Sequence, residues 1–323
     1  MVLIFHLCYN KLPHHDLMRT KNVFQTTIRT IALCLLAFQA SAQNYVDLAK
    51  FDYTTTSLNT FDTAIATTTL TEINGDLTAP IVLNSKITVL TGVSFEQTKG
   101  SFNPGRSEET LTGLTLKCGA NIKHNSKLSG TYMLLPKISS DFKNINRRDF
   151  QLGAVALMKY EKSDHFNYKF GAYVNQELFG TFVVPIFGMY YLSATEKFEA
   201  KVLLPLSVDL NYTVLLSTKL GINFRGQIRS YNINTQVLNE EHRYLARATN
   251  EVFAYAQYEL KSGINLQLSV GRSIGRSYRI YNEKVAFGMP LIYFGDDRQQ
   301  LNTDFSDSWL CKATVFYRLH LQK

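Results

Sequence analysis

The 323-residue chain is 45% hydrophobic and 12% aromatic but only 19% charged, with a formal net charge of +8. Low charge combined with 21 Phe and 18 Tyr excludes an intrinsically disordered chain. The basic excess is too mild for a nucleic-acid binder, and no stretch beyond residue 42 supplies the roughly twenty uninterrupted apolar residues of a membrane helix.

In chain order, the first feature is "MRTKNVFQTTIRTIALCLLAFQASAQ", which starts at Met18. Arg19, Lys21 and Arg29 form a basic region, Ile31 to Phe38 an apolar one, and Ala40-Ser41-Ala42 a small-residue cleavage site. The pattern predicts a secretory signal peptide over 18–42, with residues 1–17 an upstream extension and 43–323 a single domain. Cys34 follows Leu33 rather than a small residue, which argues against lipidation there. Removing residues 1–42 leaves a net charge of +5 and two cysteines, Cys118 and Cys311, with no CxxC partner. Both read as small apolar fillers.

From there, alternation with period two dominates. "KITVLTGVSFE" carries an oily set of Ile87, Val89, Val93 and Phe95; "DFQLGAVALMKY" carries Phe150, Leu152, Ala154, Ala156 and Met158. "HFNYKFGAYVNQ" sets Phe166, Tyr168, Phe170, Ala172 and Val174 against Asn167, Lys169, Gly171, Tyr173 and Asn175. "SGINLQLSVG" and the last segment, "SWLCKATVFYRLH", alternate in the same way. The opposing sets are rich in Gly, Asn, Gln, Ser, Thr and Tyr with scattered Arg and Lys, unlike the Lys- and Glu-rich exterior of a soluble sandwich.

Short turns near Asn84, Asn125, Ser163, Glu196 and Ser262 alternate with long connections over 98–109, 136–148, 231–246 and 273–305. One short end and one long end predict an all-β, transmembrane, antiparallel up-and-down barrel of about fourteen strands, with twelve as the alternative. Pro205 is expected to turn, bend or bulge its strand. "SYRIY" and "MPLIYF", inside the last loop, are either strand extensions or a fold-over segment. "LFGTFVVPIFGMYYL" is an oily run that resembles a short membrane helix, but its length, Pro185, Gly180 and Gly188, and its β-branched and aromatic content favour a bent strand. Tyr190, Tyr191, Tyr212, Tyr231, Trp309 and Tyr317 are expected at the headgroup boundary.

In "KLGINFRGQIRSY", Leu220, Ile222, Phe224 and Ile228 are expected to face acyl chains. Lys219, Asn223, Arg225, Gln227 and Arg229 are candidate lumen residues, joined by Arg247, Glu251, Glu259, Lys312 and Arg318. They predict either a polar channel with anion preference or an interior filled by its own side chains. Arg272, Arg276 and Arg279 are candidate rim residues, placed to meet lipopolysaccharide phosphates or simply water.

Three stretches, "YMLLPKISSDF", "FGTFVVPIFGMYY" and "LLPLSVDLNY", resemble a family of Gram-negative outer-membrane β-barrel proteins classed as a domain of unknown function. The matching residues include Pro136, Ser140, Asp141, Gly171, Phe179, Gly180, Pro185, Gly188, Leu204, Pro205 and Tyr212. The resemblance implies outer-membrane location, contact with lipid and lipopolysaccharide, and insertion by the barrel-assembly machinery. It brings no substrate, cofactor or catalytic residue. The ending "RLHLQK" departs from the terminal aromatic residue common in such barrels.

Chemistry is sparse. His124, His165, His242 and His320 form no metal-spaced pair, and P-loop and dinucleotide fingerprints are absent from the sequence; Gly271-Arg272-Ser273-Ile274-Gly275 has the GxSxG spacing but lacks the flanking strand-to-helix pattern of a nucleophile elbow. Asp296 and Asp297 follow Gly295 and read as a solvated turn. No cofactor is expected, the oligomeric state is open, and the chain reads as a non-enzymatic barrel, with a rim hydrolase or a soluble secreted β-protein as alternatives.

Overall fold

A computed structural model describes residues 45–63, 65–234, 242–260, 263–290 and 292–320. The expected signal peptide and upstream extension lie outside these residues.

Alternating residues drive fourteen long strands. In order they are β1 (Tyr45–Thr56), β2 (Thr71–Val82), β3 (Ile87–Gly100), β4 (Glu109–Lys123) and β5 (Leu128–Ser140). There follow β6 (Phe150–Ser163), β7 (Phe166–Glu177), β8 (Gly180–Leu192), β9 (Phe198–Leu204) and β10 (Ser207–Leu215). The last are β11 (Thr218–Ile233), β12 (Arg243–Glu259), β13 (Ile264–Ser273) and β14 (Trp309–His320). Each pairs antiparallel with its neighbours in sequence, and β1 pairs with β14, closing the cylinder and removing both edges. The fold is the expected transmembrane barrel, with the larger of the two strand numbers.

The outward row of β13 shows why these residues make a membrane wall. Ile264, Leu266, Leu268 and Val270 stand 41–69% exposed, while Asn265 and Ser269 between them are buried. Such an arrangement suits lipid outside and a polar interior. Outward Tyr132, Tyr160, Tyr168, Tyr191, Tyr212 and Tyr258 lie toward the short-turn end of their strands. At that end the connections are short, such as 83–86 and 124–127, and are shaped by side chains. Asn84 accepts from the amides of Lys86 and Ile87, and Asn125 from those of Lys127 and Leu128, all at 2.9 Å.

The opposite end carries the long connections 57–70, 101–108, 141–149, 234–242 and 274–308. Two connections there are only two residues long, Leu178–Phe179 and Pro205–Leu206. The second makes β9 and β10 a stunted hairpin. As a result β8 pairs with β9 only from Phe187 to Leu192, and β10 pairs with β11 only as far as Arg225. Pro205 is therefore a turn residue, and Pro185 sits where β8 has no β9 partner to serve.

Above this notch β11 leaves the wall. Asn232 pairs with Ser140 of β5, the Ser139 hydroxyl donates to the Ser230 carbonyl at 2.8 Å, and the Ser230 amide donates to Glu177 at 2.8 Å. The upper end of β11 thus lies inside the barrel, against β5 to β7. This corrects the expectation for two residues. Leu220 and Ile222 are 48% and 57% exposed on the outside, but Ile228 packs against Phe182, Val184 and Ile186 of β8, and Phe224 lines an internal cavity. Tyr190 and Tyr231 are corrected too: both are fully buried inside, donating to Glu199 and Glu96 at 3.1 Å.

The last long loop folds back in the two ways its sequence allowed. Ser277–Tyr281 extends the sheet beside β12, whereas Phe287–Met289 and Ile292–Phe294 form a small hairpin strapped along β8.

Candidate functional site

Among the described residues, polar side chains from distant strands converge in the barrel interior, which has three levels. At the short-turn end lies a floor. Arg318 donates to both Asp47 carboxylate oxygens, at 2.7 and 3.0 Å, and lies 3.7 Å from the Tyr45 ring centroid. Tyr45 donates to Glu199 at 2.7 Å, and Lys219 and Lys201 approach the same carboxylate at 3.7 and 3.5 Å. Glu259 pairs with His320 at the edge of this floor, at 2.9 Å.

Toward the long-loop end lies a ceiling. Arg247 meets Glu72 at 2.8 Å, both nearly fully buried, and the Tyr278 hydroxyl donates to Glu72 at 3.1 Å. Arg229 sits 3.6 Å from Glu96, which also accepts from Gln227 at 3.1 Å. An apolar plug caps these polar pairs. Phe102 stacks on Tyr278 and Tyr278 on Phe305 at 5.2 and 5.5 Å between centroids, with Leu70, Leu111 and Leu245 packed around them.

Between floor and ceiling is a chamber of about 830 Å³. Asn223, Arg225 and Lys312 line it, and Glu251 pairs with Lys312 at 3.8 Å. The other wall of the chamber is apolar: Val155 and Leu157 of β6, Tyr173 of β7, and Phe182, Val184 and Ile186 of β8. Sequence reasoning put Tyr173 on the inward face but missed the other five, because it assigned one face of each strand to lipid and expected the other to be polar. The available signal was "FVVPIF" and "AVAL", where both faces are oily at once.

The candidate rim residues separate. Arg272 rests over the exposed Trp309 ring at 5.8 Å, and Arg279 forks onto Asp304 with contacts of 2.6–3.0 Å. Arg276 is buried, its guanidinium on Asn59 and on the Ser308 hydroxyl at 2.8 Å, so it is held inside the loop and away from any lipopolysaccharide phosphate. In the strap, Arg298 lies 4.4 Å from the Tyr281 ring and 4.9 Å from that of Tyr293, and it grips Asp296 at 2.7 and 2.8 Å. Those hydrogen bonds hold the Asp296 carboxyl below its ordinary range.

Residues 39–305 match the family described as Domain of unknown function (DUF6268). The chain belongs to that family. No curated protein matches this DUF6268 member in sequence. Among solved structures it is similar to the COG4313 outer membrane channel from Pseudomonas putida F1, with 9% identity, TM-score 0.43, and 87% of this chain and 97% of that one covered. The P. putida toluene transporter TodX gives 10% identity, TM-score 0.40, and coverage of 89% and 92%. The translocator domain of autotransporter NalP from Neisseria meningitidis gives 10%, 0.36, and coverage of 94% and 98%. Among the described residues of the DUF6268 chain, no group of three or more His, Cys, Asp or Glu is placed to hold a metal ion.

Proposed function

We propose that this protein resides in the outer membrane of a Gram-negative bacterium and passes a small solute through its internal chamber, rather than conducting as an open pore. The apolar belt and the tyrosine girdle support the location, with lipid and lipopolysaccharide as its surroundings and the barrel-assembly machinery as its route of insertion. The observation that carries the reading is the chamber of about 830 Å³ that lies between the Arg318–Asp47 and Glu199 floor and the plug around Tyr278. A general pore has a continuous wet path, whereas this interior spends most of its charges on one another.

Planar-bilayer recording is the test. The intact protein is expected to show no steady conductance, and Arg318→Ala combined with Tyr45→Ala, which removes the floor, is expected to raise discrete openings. Steady wide conductance from the intact protein would overturn the reading. Silence from the floor variant, with no solute uptake into vesicles, would leave the alternative of a closed structural barrel, which the cross-linked interior also supports.

A further inference from the structure

Two cations in the chamber stand apart from the rest. Lys50 is 3.5 Å from Asp52, Arg229 3.6 Å from Glu96, Lys312 3.8 Å from Glu251, and Lys201 3.5 Å from Glu199. Lys169 and Arg225 also line the chamber, but neither has an ion pair or a hydrogen bond among the described residues. The carboxylates nearest in register are already engaged. Glu251, opposite Arg225, is held by Lys312, and Asp209 accepts from Tyr255 at 2.8 Å and from Asn211 at 3.0 Å.

The strand register puts these two cations on one rung of the wall. Lys169 pairs with Gly188, Gly188 with Leu203, Leu203 with Ser207, and Ser207 with Arg225. Four strand spacings make roughly 19 Å along the wall. Gly188, Leu203 and Ser207, the inward residues between the cations, are short or uncharged, so the two long basic chains flank a shallow bay with no anion in it. Directly above this bay the buried Ile186, Val184 and Phe182 of β8 are overlaid by Leu157, Leu203, Leu206 and Ile228, whose half-buried side chains present an apolar slope to the same chamber. A bay with two unneutralised cations below an aliphatic slope has the shape of a headgroup and a tail. Leaving such cations unpaired in a half-buried site is unfavourable unless something answers them.

We propose that the chamber is a binding site for a small anionic amphiphile, an alkyl carboxylate or alkyl phosphate, with its head between Lys169 and Arg225 and its chain along Leu157, Leu203 and Leu206, which cover the β8 slope. This rests on the chamber as the working compartment and names the solute class it takes. The head makes charge-assisted hydrogen bonds to the guanidinium and the ammonium, while the tail exchanges water for these leucines.

The test is calorimetric titration of the whole protein, held in amphipol, with decanoate, decanol, decyl phosphate and acetate as probes. Decanoate and decyl phosphate are expected to bind, and acetate to bind at least about tenfold more weakly for want of a tail. Decanol should be weaker by a similar factor for want of charge. Lys169→Gln and Arg225→Gln should each weaken decanoate about tenfold without changing the heat-modifiable migration of the folded barrel, since neither side chain supports another. Arg225→Lys should retain most of the affinity, and Leu206→Asp should lose it. Equal binding of decanoate and decanol, or unchanged binding in both Gln variants, would overturn the proposal. Decanoate binding without solute uptake into vesicles would keep the site and remove the passage reading. Uptake of polar solutes without decanoate binding would do the reverse.

Discussion

Arg247→Met tests whether the ceiling is an electrostatic crossbar. The guanidinium reaches Glu72 of β2 from β12, across the barrel interior, with side-chain exposures of 3% and 5%. At 2.8 Å and an effective dielectric of about 20, the attraction is ~6 kcal/mol, most of which offsets the desolvation of two buried charges. Removing the cation strands Glu72 with the Tyr278 hydroxyl at 3.1 Å, so the expected loss is about 3–5 kcal/mol. Glu72→Gln strands Arg247 in turn, with the Thr98 hydroxyl at 3.3 Å as its other partner. The double variant buries no unpaired charge and should recover about 2 kcal/mol or more relative to the sum of the singles. Urea unfolding in phosphatidylcholine vesicles, followed by heat-modifiable migration, measures all three. If the double variant loses as much as the two singles added together, Arg247 and Glu72 do not act as a unit and the crossbar argument is refuted.

Three further outcomes are expected. Leu268→Arg, at the most exposed position of the β13 outer row, should cost about 2–4 kcal/mol in the same urea assay, and near-zero cost would move that row out of the bilayer midplane. In a background with Cys118 and Cys311 replaced by Ala, a fluorophore on Ile222→Cys should be quenched strongly by a nitroxide-labelled lipid and one on Ile228→Cys only weakly; equal quenching would deny that β11 turns inward. The strap should be pH-sensitive on the acid side alone. Its Asp296 carboxyl is depressed by Arg298, so the pairing is complete above the ordinary carboxylate value of about 4 and is lost as pH falls through the lower folded value. Protease cleavage within residues 292–300 should thus rise below that range and stay flat from neutral pH down to it.

The wall was readable because lipid and water impose opposite demands on successive residues, and Ile264 to Val270 obey that rule without exception. The strand count followed from turn spacing, since short polar turns, with Asn84 and Asn125 in two of them, announce themselves locally. What was not readable depends on length rather than pattern. Pro205 allowed a turn, a bend or a bulge, but nothing local to "LLPLSV" selects the turn that stops β9 and β10 halfway up, and only that shortness frees β11 to fold inside. Once it does, Phe224 and Ile228 keep their alternation but change solvent, from acyl chains to a protein slope. The apolar side of the chamber was visible only as the doubly oily "FVVPIF". The partners of Lys169 and Arg225, or their want of partners, lie on strands that the sequence cannot bring together.

The stunted hairpin also decides where the cylinder yields. The seam joining the two ends of the barrel, β1 to β14, is paired from Tyr45 to Thr56, so it is one of the firmer joints. Beside the hairpin, by contrast, the upper half of β8 keeps its ladder to β7 but lacks one to β9, and leans instead on the Phe287–Met289 strap through only a short parallel contact. Breathing motions that widen the barrel therefore break the fewest backbone hydrogen bonds there. The hinge of this closed ring lies in the middle of the chain, far from where its ends were joined.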